Sequence, residues 1–265
     1  MNATVKNRID EIKVQGYQID FGAVFNQTIE NYKKIALYGG LVLFVFLIVF
    51  GLVLGGLFAG FVGTDEAARI LQSKELQSEN LDITSLLMLS GVSLLIAVLI
   101  SPFIAGLYKM AHNADKDDEF HVSTMFHYYN SSHFVDIIIA SVVLGIADLI
   151  IKGVINYLEI PILAGFLSAV VSFFTFLTIP LIIFGNVRAI DAIKASIMII
   201  SKQPFVLLGL ILVGVIAVLL GLFGCCIGII FTIPLLYSMG YIIYKYIIGF
   251  PENNEEEVIT NFDSL

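Results

Sequence analysis

Tryptophan is absent from this 265-residue chain, cysteine occurs twice, and only 14% of the residues are charged. A soluble domain carries roughly 25% charged residues. A water-soluble fold with so few charges could not cover its apolar surface, so lipid is the expected solvent. The two cysteines, Cys225 and Cys226, are adjacent, and bridging neighbours closes a strained ring. A disulfide framework is therefore excluded, and the pair reads as small packing residues in an apolar hairpin. With no tryptophan, tyrosine must take the aromatic positions at the membrane interfaces: Tyr38, Tyr108, Tyr241, Tyr244 and Tyr246 on the inner side, Tyr157 on the outer. A basic stripe is also missing. The formal net charge is -8, which argues against nucleic acid as a partner, since binding it needs clustered cations. No P-loop, dinucleotide fingerprint, nucleophile elbow or HExxH zinc motif is present. No cleavable leader is expected either, because the first apolar run starts near Ile35 and exceeds the length of a signal-peptide core.

What the chain does contain is hydrocarbon. Hydrophobic residues make up 58% of it and the mean hydropathy is +0.94. About 20 apolar residues of helix cross a bilayer, and six stretches qualify. They run near 35–62, 83–110, 134–157 and 161–184, with two more sharing the long run 205–246, which is expected to turn near Gly221 to Cys226. With the N-terminus inside, eleven of the 14 lysines and arginines fall on one side and only Arg69, Lys74 and Lys152 on the other. The expected organisation is all-α: a polytopic membrane helix bundle of six transmembrane helices. Residues 1–34 form a cytoplasmic segment with an amphipathic helix, 35–248 the transmembrane domain, and 249–265 an acidic cytoplasmic tail around Glu255, Glu256 and Glu257. The location implied is the bacterial cytoplasmic membrane.

The chain also repeats itself. Phe21, Val24, Phe25, Thr28, Ile29 and Tyr32 share one helical face, opposite Asn26, Glu30, Lys33 and Lys34, with Asp20 as N-cap. Residues 188–202 align with this segment without gaps, Thr28 with Ser196 and Lys34 with Lys202. Their expected apolar face is Ile190, Ile193, Ile197 and Ile200. A third copy runs from Ser123 to Ser132, with Phe126 and Tyr129 on its apolar side. Each is expected to lie along the inner leaflet. The second, fourth and sixth helices each place a proline just after a hydroxyl residue: Ser101 before Pro102, Thr178 before Pro180, Thr232 before Pro234. Proline removes a ladder hydrogen bond and bends a helix, and a nearby hydroxyl can satisfy the freed carbonyl. The pattern implies three hairpin repeats, each led by an interfacial helix.

The C-terminal third, from Asp191-Ala-Ile-Lys-Ala-Ser196 through the glycine-rich hairpin to Pro234 and Tyr244-Lys245, resembles a broad group of uncharacterised bacterial, flavobacterial-type multipass membrane proteins. It is distantly similar to the membrane domain fused to some glycerophosphoryl diester phosphodiesterases. That resemblance implies a membrane domain only, and no catalytic residue carries over.

The sharpest polar feature is Asp148 with Lys152 inside the third span, one turn apart in the favourable order. It reads either as a neutralised structural pair or as part of a solute or proton pathway. His112, His121, His127 and His133 share one acidic stretch. Their gaps of nine, six and six residues do not match helical metal pairs, so they read as tolerated loop histidines, with a metal site as the weaker alternative. Gly51 and Gly55, then Gly56 and Gly60, permit close helix approach on the first span. The loop from Thr64 to Asp82 reads as a short surface helix. Together these features point to a non-catalytic membrane protein without a cofactor, in contact with lipid and with a possible membrane-protein partner. The alternatives are a small-solute transporter built from three two-helix repeats, and a metal-dependent enzyme using the 112–133 histidines.

Overall fold

A computed structural model describes residues 3–63, 83–119, 121–158, 160–223 and 227–250. Every regular element among them is helical: α1 (Ala3–Gln15), α2 (Phe21–Val62), α3 (Ile83–Asp115), α4 (Val122–Phe126), a 3-10 turn (His127–Asn130), α5 (Phe134–Tyr157), α6 (Pro161–Phe174), α7 (Thr178–Ile183), α8 (Ala189–Lys202), α9 (Pro204–Leu220), a second 3-10 turn (Gly221–Phe223), α10 (Ile227–Thr232) and α11 (Pro234–Ile247). Six helical stretches among the described residues are long and apolar enough to cross a membrane. The protein is thus a multipass helical membrane bundle. The expected helix in the Thr64–Asp82 loop, the two cysteines and the acidic tail beyond Phe250 lie outside the described residues.

The bundle has two unlike halves, divided near the three prolines. On one side, the closed end, helices pack into a dense core that includes Ile35, Phe103, Met110, Leu181, Met239, Tyr241 and Tyr244. The last helix, α11, sits at its centre against α2, α3, α7 and α9. On the other side, the open half, the helices turn Leu52, Leu57, Leu95, Ile150, Phe166 and Ile216 outward. Lipid is as apolar as these side chains, so nothing drives them together there.

The closed end carries both ends of the described chain. The helix α1, which the mixed charge of its segment conceals, buries Val5 and Ile12 against α8. Gly16, at φ 73°, ends α1 in the left-handed cap that glycine adopts without penalty, its N–H returning to the Ile12 carbonyl at 2.9 Å. The Arg8 Nε donates to the Ile247 carbonyl at 2.9 Å, placing a cation at the last turn of α11, where the helix dipole favours one.

Asp20 caps α2 as expected, accepting from the Ala23 N–H at 2.6 Å. The segment it starts, however, is not a separate interfacial helix. Phe21–Val62 is one helix of 42 residues. Nothing between Ala23 and Tyr38 breaks it, whereas the equivalent point after Lys202 holds Gln203 before Pro204. A residue before proline is driven out of the helical region, and Gln203 lies at φ -138°, ψ 62°. The third copy is one turn of α-helix followed by one of 3-10.

The buried face of α8 also differs from the expected one. It consists of Ala189, Ala192, Ala195, Ser196, Ile199 and Ile200, while Ile190 and Ile197 are exposed. Small residues let helices approach, and the isoleucines are left to face an apolar solvent. Tyrosines expected at the interface move inward for a related reason: Tyr108, Tyr241 and Tyr244 belong to the closed-end core, and only Tyr246 of the inner set is exposed. On the first span, no described atom lies within 4 Å of where a Cβ would sit on Gly51, Gly55, Gly56 or Gly60. Those glycines mediate no contact within the described bundle. Gly40 and Gly106 are where backbones meet, their Cβ positions falling 2.9 Å from the Phe231 Cα and 2.1 Å from the Met125 carbonyl oxygen.

Only Pro102 bends a continuous helix, with the Ser101 hydroxyl donating to the Val98 carbonyl it frees, at 2.8 Å. Pro180 and Pro234 mark breaks: Thr175–Leu177 separates α6 from α7, and Pro234 opens α11 after Ile233. At each of the three sites, a hydroxyl arrives from a different amphipathic segment. The Tyr129 hydroxyl donates to the Leu99 carbonyl at 2.7 Å. The Ser196 hydroxyl donates to the Phe174 carbonyl at 2.8 Å and accepts from the Leu177 N–H at 3.1 Å. The Tyr32 hydroxyl donates to the Phe231 carbonyl at 3.1 Å. Each amphipathic segment therefore stitches the proline site of the hairpin before it, and the first segment stitches that of the last. The stitching hydroxyls are not at equivalent positions, since Ser196 aligns with Thr28 and not with Tyr32.

Candidate functional site

Asp148 and Lys152 form their ion pair at 2.6 Å, with side chains 33% and 51% exposed. Gly145, on the same face of α5, abuts Leu94 of α3, so the pair is turned toward neighbouring helices in the open half. The four histidines are not gathered. His112 lies in α3 at the closed end, among the rings of Phe184, Tyr241 and Phe250 with centroids 4.9 to 5.5 Å away. His127 and His133 flank Tyr128, and His121 is exposed before α4. No group of three metal-ligating side chains comes together among the described residues. Burial first, then the nearby Lys109 and His133 charges, hold His127 below the ordinary histidine value. Burial likewise lowers His133, against the opposing pull of Asp136.

The largest polar assembly is one that spacing along the chain does not reveal, at the closed end around Asp115. Its Oδ2 accepts from the Tyr241 hydroxyl at 2.8 Å and from the Lys245 Nζ at 2.6 Å. Since Tyr241 gives its proton to Asp115, it must accept from His112 Nδ1, 3.3 Å away, which assigns the proton of the imidazole to Nδ1. Beside this chain, the buried Asn31 donates to the Ala111 carbonyl at 2.8 Å and accepts from the Ser238 hydroxyl at 2.8 Å. Lys34 donates to the Ala114 carbonyl at 3.0 Å and pairs with Asp117. A cavity of about 80 Å³ is left between Gln27, Glu30, Asn31, Lys34 and Asp115, space for a few water molecules.

The arrangement ties three helices together. Asp115 Oδ2 is held by a cation and a phenol, and the Gln27 Nε2 lies 3.5 Å from its Oδ1. The network joins α2, α3 and α11 through groups 80 or more residues apart in the chain. Spacing within the sequence offers no sign of such pairs. The visible hint was that Lys245, Tyr241 and Ser238 fall on one face of the last, least apolar span.

No family model, no curated protein and no solved structure matches the chain.

Proposed function

We propose that the protein is a non-catalytic component of a bacterial cytoplasmic membrane, with both termini in the cytoplasm, that organises lipid or supports a partner membrane protein. One observation carries this reading: ionisable groups at the closed end neutralise one another in a packed core, while the spans of the open half spread their apolar side chains outward. A rigid, lipid-anchored platform needs such a division, and a reaction centre does not. The cation bias of the sequence supports the cytoplasmic assignment of the closed end.

Single cysteines at Glu11→Cys and Ser73→Cys, in a background lacking Cys225 and Cys226, test the topology. An impermeant thiol reagent applied to intact cells should modify the second and spare the first until the membrane is opened. Modification of both from outside would overturn the assignment. The transport reading rests on Asp148 and Lys152 facing neighbouring helices. Under it, Asp148→Asn abolishes solute uptake in proteoliposomes without lowering thermal stability. Under the platform reading, neither protein takes up solute.

A further inference from the structure

A second feature lies on the lipid-facing flank of the first span, away from the polar assembly. A furrow of about 260 Å³ runs along α2 from Val42 to Val53 and is walled at its closed-end side by Val122 and Phe126 of α4. Valines recurring at helical spacing leave the channel, and Phe46 and Phe50, stacked at 5.3 Å, form its flat floor. Phe46 is itself fixed by Phe103, 3.8 Å away, beside the Pro102 bend. The lining presents carbon and no side-chain donor or acceptor.

We infer that this furrow holds one acyl chain of a phospholipid from the leaflet on the closed-end side. Three observations favour that occupant. The eleven residue steps from Val42 to Val53 rise about 16 Å, and a hydrocarbon core of about 30 Å allots about 15 Å to each leaflet. The furrow is thus one leaflet deep. Its closed-end side is walled by α4, the segment expected to lie along the leaflet surface, so its mouth lies at the headgroup level. An extended peptide would leave its backbone unsatisfied against these walls, whereas a polymethylene chain has nothing to satisfy. α4 is then the wall of a lipid slot, which accounts for Val122 and Phe126 remaining exposed.

Native mass spectrometry of the full chain, extracted in mild detergent, tests this. The wild type should keep one phospholipid through washing. Val49→Trp, which fills the furrow, should lower that retention about tenfold, the effect of losing roughly two buried methylenes. Ile48→Trp, at an exposed residue outside the furrow's lining, should leave it unchanged. A wild type without retained lipid, or equal retention by the two variants, overturns the inference. So does a Val49→Trp variant that changes oligomeric mass but not lipid content, since a second copy would then fill the furrow. A phospholipid bearing a photoreactive group on its chain needs no variant: its adducts should map to residues 42–53 and 122–126 of the wild type, and adducts spread evenly over the spans contradict the slot.

Discussion

The closed end and the open half are built from the same hydrophobic residue types, yet they pack by different rules. At the closed end, Tyr241, Met239 and Ile242 are fully buried, and polar groups bond across helices. In the open half, the spans leave their leucines and valines exposed. Hydropathy reports that a residue leaves water. It does not say whether the residue then meets protein or lipid. Close approach in this molecule follows small residues and polar stitches.

The sharpest way to break that comparison is to put the same side chain into both halves. Gly106→Val drives a side chain into the Met125 backbone and should cost about 3 kcal/mol or more, so little folded protein should survive size-exclusion chromatography in detergent. Gly55→Val meets open space and should stay within about 0.5 kcal/mol of wild type. Equal losses would mean that the open half is packed after all.

A smaller effect is expected at the polar assembly. Asp115→Asn weakens the charged bond to Lys245 and should destabilise by about 2 kcal/mol. Lys245→Met should cost a similar amount, and the double variant less than the sum, because each single change strands the other charge. Additive losses in thermal melts would show that the two groups do not work as a pair.

The smallest effect is one of pH. The folded protein holds His127 and His133 below the ordinary histidine value of about 6.5, so it prefers them neutral. Their full stability is present above that value and is lost as the pH falls below it, because the unfolded chain takes up protons first. Melting temperatures should therefore drop slightly from about pH 7.5 to about pH 5.5, and less in His133→Gln. An unchanged drop in the variant would place the titration elsewhere.

Six spans, the proline positions and the Asp20 cap were legible because each depends on local chemistry: length of apolar run, ring geometry, a side-chain oxygen near the first N–H groups. Three features were not. The α1 signal, Val5, Ile9 and Ile12, is only two turns long within a charged segment. The inner face of α8 is mostly alanine and serine with Ile199 and Ile200, and hydropathy ranks those small residues below Ile190 and Ile197, which stay exposed. The bonds of Asp115 to Tyr241 and Lys245 span 126 and 130 positions, and periodicity within one helix cannot anticipate a partner at that distance.

The stitch from Tyr32 to the Phe231 carbonyl has a consequence for synthesis. The Tyr32 segment bonds to one made 199 residues later, so the circle cannot close until that later segment is made. Asn31 and Tyr32 must wait, uncovered, until the final hairpin enters the bilayer, and until then the growing protein is an open arc whose two ends have yet to meet.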